Sequence, residues 1–318
     1  MRSAVERVNE SSLTCMDDGS RGGTPLSSPF VRRLRLGAEL RALRQRRGLT
    51  TEQLGGLFHQ SRMKISRLEN AQVRPDLVEV MDLLDLLGPT DDKRAEIISI
   101  AREAAGKGWW DAYGDAMGDR QRLYADIESG AATIREYFPT ALPGNLQLPA
   151  YTQSLIEDDI AAGPISYVPE RLIEARRRRQ ETVFRPDGPD YEVVLDEVGL
   201  RRFSVPPKIM HDQLVHLVEE SALRPKFVLK VFPIRTGRTS VPLPKSAFFL
   251  YSFSDPADPS VVIEEATAAD HVRTRPDEFV KYVRRYEFVR SAALSEEESR
   301  GLLLEIANQI LHEAGPHL

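Results

Sequence analysis

Paired carboxylates, histidines and one cysteine are the side chains with which this 318-residue chain could do acid–base or metal chemistry. Asp196 and Glu197 close the run YEVVLDE, and Glu264 and Glu265 close SVVIEE. Adjacent acids at strand ends can hold a metal ion or divide proton donation and acceptance between them. No His or Cys accompanies either pair at ligand spacing, and strand ends that face water often carry acids. His211 and His216 stand five apart on a helical stretch and point to different sides. Two zinc ligands on one helix face would stand about four apart. The lone Cys15 can make no intrachain disulfide and excludes a four-cysteine metal site. Neither a Gly-rich phosphate loop nor a GxSxG elbow is present. The expectation is a protein that is not an enzyme and uses no metal or cofactor.

Positive charge is the other chemical resource, and it is unevenly placed. Val31 to Arg74 holds 11 Lys or Arg against three Glu, an excess of +8 in a chain of formal net charge −5, which leaves −13 for the remainder. A basic module joined to an acidic one suits a protein that touches a polyanion with one end. Within the basic part, Thr50 can cap a helix with Gln53 returning the bond, and Leu49 and Leu54 stand where a hydrophobic staple puts them. Ser61 can cap a second helix whose Ile65 and Leu68 share one face. Two short helices and a tight turn make a helix-turn-helix.

With Ile65 and Leu68 inward, Arg62, Met63, Ser66 and Arg67 face out and Lys64 lies at the flank. Arg can donate two hydrogen bonds to guanine, and Met can lie against a thymine methyl, so this face suits the major groove. Thr51, Gln53 and Ser61, near the two helix starts, complete the set expected to touch double-stranded operator DNA. Gly55 on the first helix would let the second approach closely.

These residues resemble the Cro/repressor-type (XRE) helix-turn-helix family, in which an LTxxxLA helix precedes an SxxxISRxE helix. The match runs over about residues 35–90 and is most specific in ISRLENAQVRP; His59 stands where the family turn has Gly, and Gln60 where a small apolar residue is usual. From about residue 109 to 314, YADIESGAATIREYFPTALPGNLQLPAY, RRRRQETVF, YEVVLDEVGLRR, HDQLVHLVEESA and LSEEESRGLL resemble the domain behind this motif in WhiJ-like actinobacterial regulators. Asn145 and Leu148 depart from that family's usual loop. The resemblance implies a transcriptional regulator that acts with a small partner protein encoded nearby. An antitoxin-like role, sequestering that partner and autoregulating its operon, is the alternative it leaves open.

The fold that must position these groups is an all-α helix-turn-helix domain of about five helices over 31–105, followed by an α+β domain over 106–318 that receives a signal or partner. Residues 1–30 read as a disordered leader in which Met16 is an alternative start. Further helices are expected over about Pro75–Leu87, Asp91–Ala105 and Gln121–Glu136, with strands at YEVVLD, FVLKVFP, AFFLYSF and SVVIEE. Two helices close the chain, the second capped by Ser295 with Glu298. Its Leu302, Leu303, Leu304, Ile306, Ile310 and Leu311 exceed one face, and either fill the domain's own core or supply the contact of a homodimer. Arg176, Arg177, Arg178 and Arg179 surround their helix, so they either pair with Glu170, Glu174 or Glu181 or form a partner-protein site. No apolar run is long enough to cross a membrane, and the expected compartment is the cytoplasm.

Overall fold

Ser28 caps helix α1 (Pro29–Arg46), its Oγ accepting from the Val31 N–H at 3.2 Å and donating to Asp126 at 2.8 Å. The structure, a computed structural model, describes residues 27–202, 205–235, 243–266 and 269–314. Cys15 and Met16 lie outside the described residues. Pro29 and Phe30 belong to α1, with Ser28 as its cap, rather than to a leader, because a Ser cap and a Pro in the first turn are both favourable helix starts.

Four more helices complete the N-terminal domain: α2 (Thr51–Leu57), α3 (Arg62–Glu69), α4 (Leu77–Leu87) and α5 (Asp91–Ala104). Helix α4 starts after the expected Pro75 because Asp76 is its cap, accepting from the N–H groups of Val78 and Glu79 at 2.8 and 3.1 Å. Leu36, Leu40 and Leu43 of α1 pack with Leu54, Ile65 and Leu84 in one core.

A 3-10 stretch (Trp109–Met117) then leads to α6 (Asp119–Gly130), which runs straight into strand β1 (Ala131–Phe138). The helix expected over Gln121–Glu136 therefore ends at Gly130, and its last six residues are strand. After β1 come α7 (Pro149–Ala162), α8 (Pro169–Val183), β2 (Asp190–Asp196), the short α9 (Glu197–Arg201), α10 (Pro207–Leu223) and β3 (Phe227–Phe232). Strands β4 (Phe248–Phe253), β5 (Val261–Glu264) and β6 (His271–Arg273) precede α11 (Pro276–Ala292) and α12 (Glu296–Ala314). The strands form one mixed sheet in the order β3-β2-β1-β4-β5-β6, parallel across β3, β2 and β1 and antiparallel beyond. An α+β domain thus follows the helical one.

Helix α11 covers one face of the sheet through Tyr282, Tyr286 and Val289. The other face packs against α6, α8, α10 and α12, and here Leu303, Ile306 and Ile310 of α12 are buried. The apolar surplus of α12 is thus mostly spent on the domain's own core, leaving Leu304 exposed.

The two domains share α1. Val31 is 0% exposed and belongs to the core of the sheet domain, with Phe30 and Leu34 packed against it. Arg32 and Arg35 reach Asp255 at 3.1 and 2.6 Å, Arg32 also reaches Asp258 at 3.0 Å, and Arg33 reaches Asp126 at 3.1 Å. A backbone N–H from Ala257, together with Arg35 and Arg32, holds the Asp255 carboxyl at about 2. Part of the basic excess of residues 31–74 is therefore neutralised inside the molecule.

Beneath α6 and α8, Glu136 lies fully buried between Val193 and Phe249 of the neighbouring strands. Tyr191 donates to its Oε2 at 2.8 Å, while Oε1 has no partner among the described residues. Burial outweighs the Tyr191 bond and pushes the carboxyl up to about 8 from an ordinary 4.5. The folded protein thus holds this proton more tightly than the unfolded chain, so its contribution to stability is present below 4.5 and is lost as pH rises through about 8. Glu136→Gln should flatten that decline and raise stability above neutral pH. Urea unfolding of both proteins from about pH 5 to about pH 9 measures it, and parallel curves would refute the assignment.

Candidate nucleic-acid interface

Helix α2 starts where the sequence places it, with both bonds of the capping box formed: Gln53 N–H to Thr50 Oγ1 at 3.1 Å and Thr50 N–H to Gln53 Oε1 at 2.8 Å. It ends in a turn that sends the Gln60 N–H to the Gly55 carbonyl at 2.8 Å and the His59 N–H to Gly56 at 3.2 Å. His59 adopts φ 51°, the left-handed conformation that glycine takes more cheaply. The turn is kept at a cost in strain. Gly55 is required by contact instead, since a Cβ there would stand 2.8 Å from the Gln60 carbonyl oxygen.

Ser61 caps α3, accepting from the Lys64 N–H at 3.2 Å. Ile65 is buried and Leu68 half-buried, which leaves Arg62, Met63 and Arg67 exposed, Met63 at 66%. The guanidinium groups of Arg62 and Arg67 have no hydrogen-bond or ion-pair partner among the described residues and stand free to donate. Lys64 differs from expectation: it forms an ion pair with Glu79 of α4, so its ammonium is already partnered. Ser66 Oγ accepts a 3.3 Å bond from Asn70. Gln53 and Ser61 spend a side-chain oxygen on caps but keep N–H and O–H donors, and Thr51 is half-buried beside them.

What holds α3 in place is a buried pair that lies 25 residues apart in sequence: Arg44 Nε and Nη2 meet the two Glu69 oxygens at 2.6 and 2.8 Å. The Arg44 guanidinium is raised further above its ordinary value by the hydrogen bonds to Glu69. Arg41 adds a 3.0 Å bond to the Glu69 carbonyl. Gly37 lets α1 cross against that carbonyl, where a Cβ would collide. The charged Glu of the ISRLE run was the sequence's one hint, since it falls on the inward face.

The arginine run on α8 separates into four environments. Arg179 is 2% exposed and makes a two-point pair with Glu128, Nη2 to Oε1 at 2.6 Å and Nε to Oε2 at 2.8 Å. It also donates to Gln121. Arg176 bonds Gln147 and Thr152, and burial pushes its guanidinium down to about 10. Arg179 is thereby shut away from any partner protein, while Arg176 is half-buried and keeps an Nε with no hydrogen-bond partner among the described residues. Arg177 pairs with Glu181 and Arg178 with Glu174, and both remain exposed enough to meet a ligand.

The candidate acids are engaged locally. Asp196 caps α9 through the Val198 N–H at 2.9 Å and accepts from Tyr137, while Glu197 accepts from Arg201 and the Ile234 N–H. Glu264 takes Arg273, Tyr282 and Ser246, and Glu265 pairs with Arg120. His211 sits 2.8 Å from Asp212, and His216 faces a separate cleft beside Arg224. Among the described residues no group of three or more His, Cys, Asp or Glu could hold a metal ion. No helix described is long and apolar enough to cross a membrane.

The geometry of α2, the turn and α3 is that of a helix-turn-helix, and a helix-turn-helix domain family matches residues 35–97, the class of a DNA-binding regulator. Residues 121–305, more than half of the chain, match the family described as a domain of unknown function (DUF5753), and the chain belongs to that family. No curated protein and no solved structure matches the chain.

Two substitutions measure what this scaffold costs. Glu69→Ala strands Arg44 and should lower stability by about 3–5 kcal/mol, the range for a broken buried pair. His59→Gly relieves the left-handed backbone and should raise stability by about 1 kcal/mol. Denaturant midpoints for the two variants moving in the same direction would refute one assignment or the other.

Proposed function

We propose that the protein is a sequence-specific transcriptional regulator that reads a double-stranded operator with α3. One observation carries the reading: Arg62, Met63 and Arg67 project from the outer face of a helix whose inner end is fixed by the Glu69–Arg44 pair. A positioned helix with uncommitted guanidinium groups is what direct readout in the major groove requires. The exposed N-terminus of α3 also favours phosphate. No catalytic step is needed for this activity, and the sheet domain, of the WhiJ-like kind by its resemblance, acts as receiver of a signal or small partner protein.

One such helix reads only a few base pairs, so a homodimer on two half-sites about 34 Å apart is the form that supplies operator affinity. Lys64 enters only weakly, since its pair with Glu79 must open before it meets a phosphate.

The test is footprinting of the full chain on DNA upstream of its own gene, followed by titration of variants. Arg62→Ala should cost about 1–3 kcal/mol and relax selectivity at one base pair, whereas Lys64→Ala should weaken all sequences slightly and alike. Wild-type affinity and selectivity in both Arg62→Ala and Arg67→Ala would show that α3 is not the reader.

A further inference from the structure

A cleft of about 620 Å³ opens where the start of α1, the Trp109–Trp110 segment and one face of α8 meet. We propose that it binds a small organic anion with a planar apolar body. This inference concerns the sheet domain and stands independently of the DNA-binding reading.

Its volume falls in the range of small-molecule sites, which combine an apolar wall with a few converging polar groups. The wall is aromatic: Trp109 and Trp110 meet edge to face at 5.9 Å and 77°. Gly108 fixes that wall, because the Trp110 ring lies so close to its backbone that a Cβ would collide. The Gly108 N–H is in turn held by Asp111 at 2.8 Å. A wall set before the ligand arrives lowers the ordering cost of binding.

The charged groups are mostly cations, four against the one acid Glu181. Helix α8 brings Arg177 and Arg178 to the cleft, with Glu181 and Thr182 one turn on; Arg185 follows just past the helix end, and Lys107 lines the cleft from the Trp109 segment. Arg177 pairs with Glu181, Arg178 with Glu174 and Arg185 with Asp187, so Lys107 is the surplus cation, the lining residue with no carboxylate partner among the described residues. Arg178 lies 5.7 Å over the Trp109 ring, where a planar guanidinium can stack and still donate from its edge. Arg185 is held at the cleft edge by Asp187 at 3.3 Å and by the Thr182 and Ser129 carbonyls, which fixes its position on the wall. The cleft is far too small for a duplex, so these cations do not serve the DNA.

Both tryptophans of the chain form this wall, so their fluorescence reports occupancy directly. The full-length protein would be titrated with 1-naphthoate and with neutral 1-naphthamide, by fluorescence and calorimetry, without DNA. Naphthoate should saturate a single site, and naphthamide should bind at least about tenfold more weakly. Arg178→Gln should weaken naphthoate severalfold, and so should Lys107→Gln, which changes an exposed side chain and should leave the melting temperature unchanged. Failure of naphthoate to saturate, equal binding of the amide, or wild-type affinity in a folded Lys107→Gln or Arg178→Gln variant would overturn the proposal.

Discussion

A single 18-residue helix has to serve two hydrophobic cores at once, and the rest of the architecture follows from how α1 divides its faces. Its first two turns give Val31 to the sheet domain, and its later turns give Leu36, Leu40 and Leu43 to the helical domain. Arg32, Arg33 and Arg35 flank the crossing and pair with carboxylates on two elements of the sheet domain. Pairs of this kind add little net stability but are strongly directional, and removing one partner strands a charge. They therefore fix the angle at which the helix-turn-helix domain is held rather than how tightly the chain folds. The helical domain cannot swing on the sheet domain unless α1 bends or these pairs open together.

Signals that act within a few residues were legible in the sequence. The Thr50–Gln53 box, the Ser61 cap and the Ser295–Glu298 cap all form, since each depends only on residues three apart. The strands with clean apolar runs were legible too. Strand β1 was not, because Glu136 points into the core and Arg135 out, which breaks the apolar alternation that marks a half-buried strand. The pairs Arg44–Glu69 and Arg179–Glu128 join residues 25 and 51 positions apart, beyond any local pattern. The charge excess of residues 31–74 was a true count with a divided meaning, because α1 spends much of it between domains and α3 keeps Arg62 and Arg67 free.

The arginine run on α8 shows how a repeated residue acquires distinct roles from helix geometry alone. At about 100° per residue, four consecutive positions cannot share an environment. Arg179 falls inward and meets Glu128, Arg176 falls against the Gln147 and Thr152 side chains, and the other two face the cleft. The inward pair places a charge opposite Glu136, whose raised carboxyl then sits in a polar interior built from Glu128, Arg179 and Tyr191. Such networks define one arrangement of a domain because a half-formed version leaves charges unpaired.

The cleft and helix α3 share a carboxylate. Helix α3 ends in a turn at Ala71, itself left-handed at φ 57°, and three residues later Arg74 pairs with Asp111 at 2.7 Å. Asp111 is also the residue that holds the Gly108 N–H behind Trp110. The cleft wall and the exit of α3 are thus tied to the same carboxylate, while α1 ties the two domains independently. An occupant alters operator binding only by differing in affinity between two arrangements of these ties. The Asp111 link is the lighter of the two, a half-exposed pair rather than a shared core, and so is the one that the proposed ligand would shift at least cost.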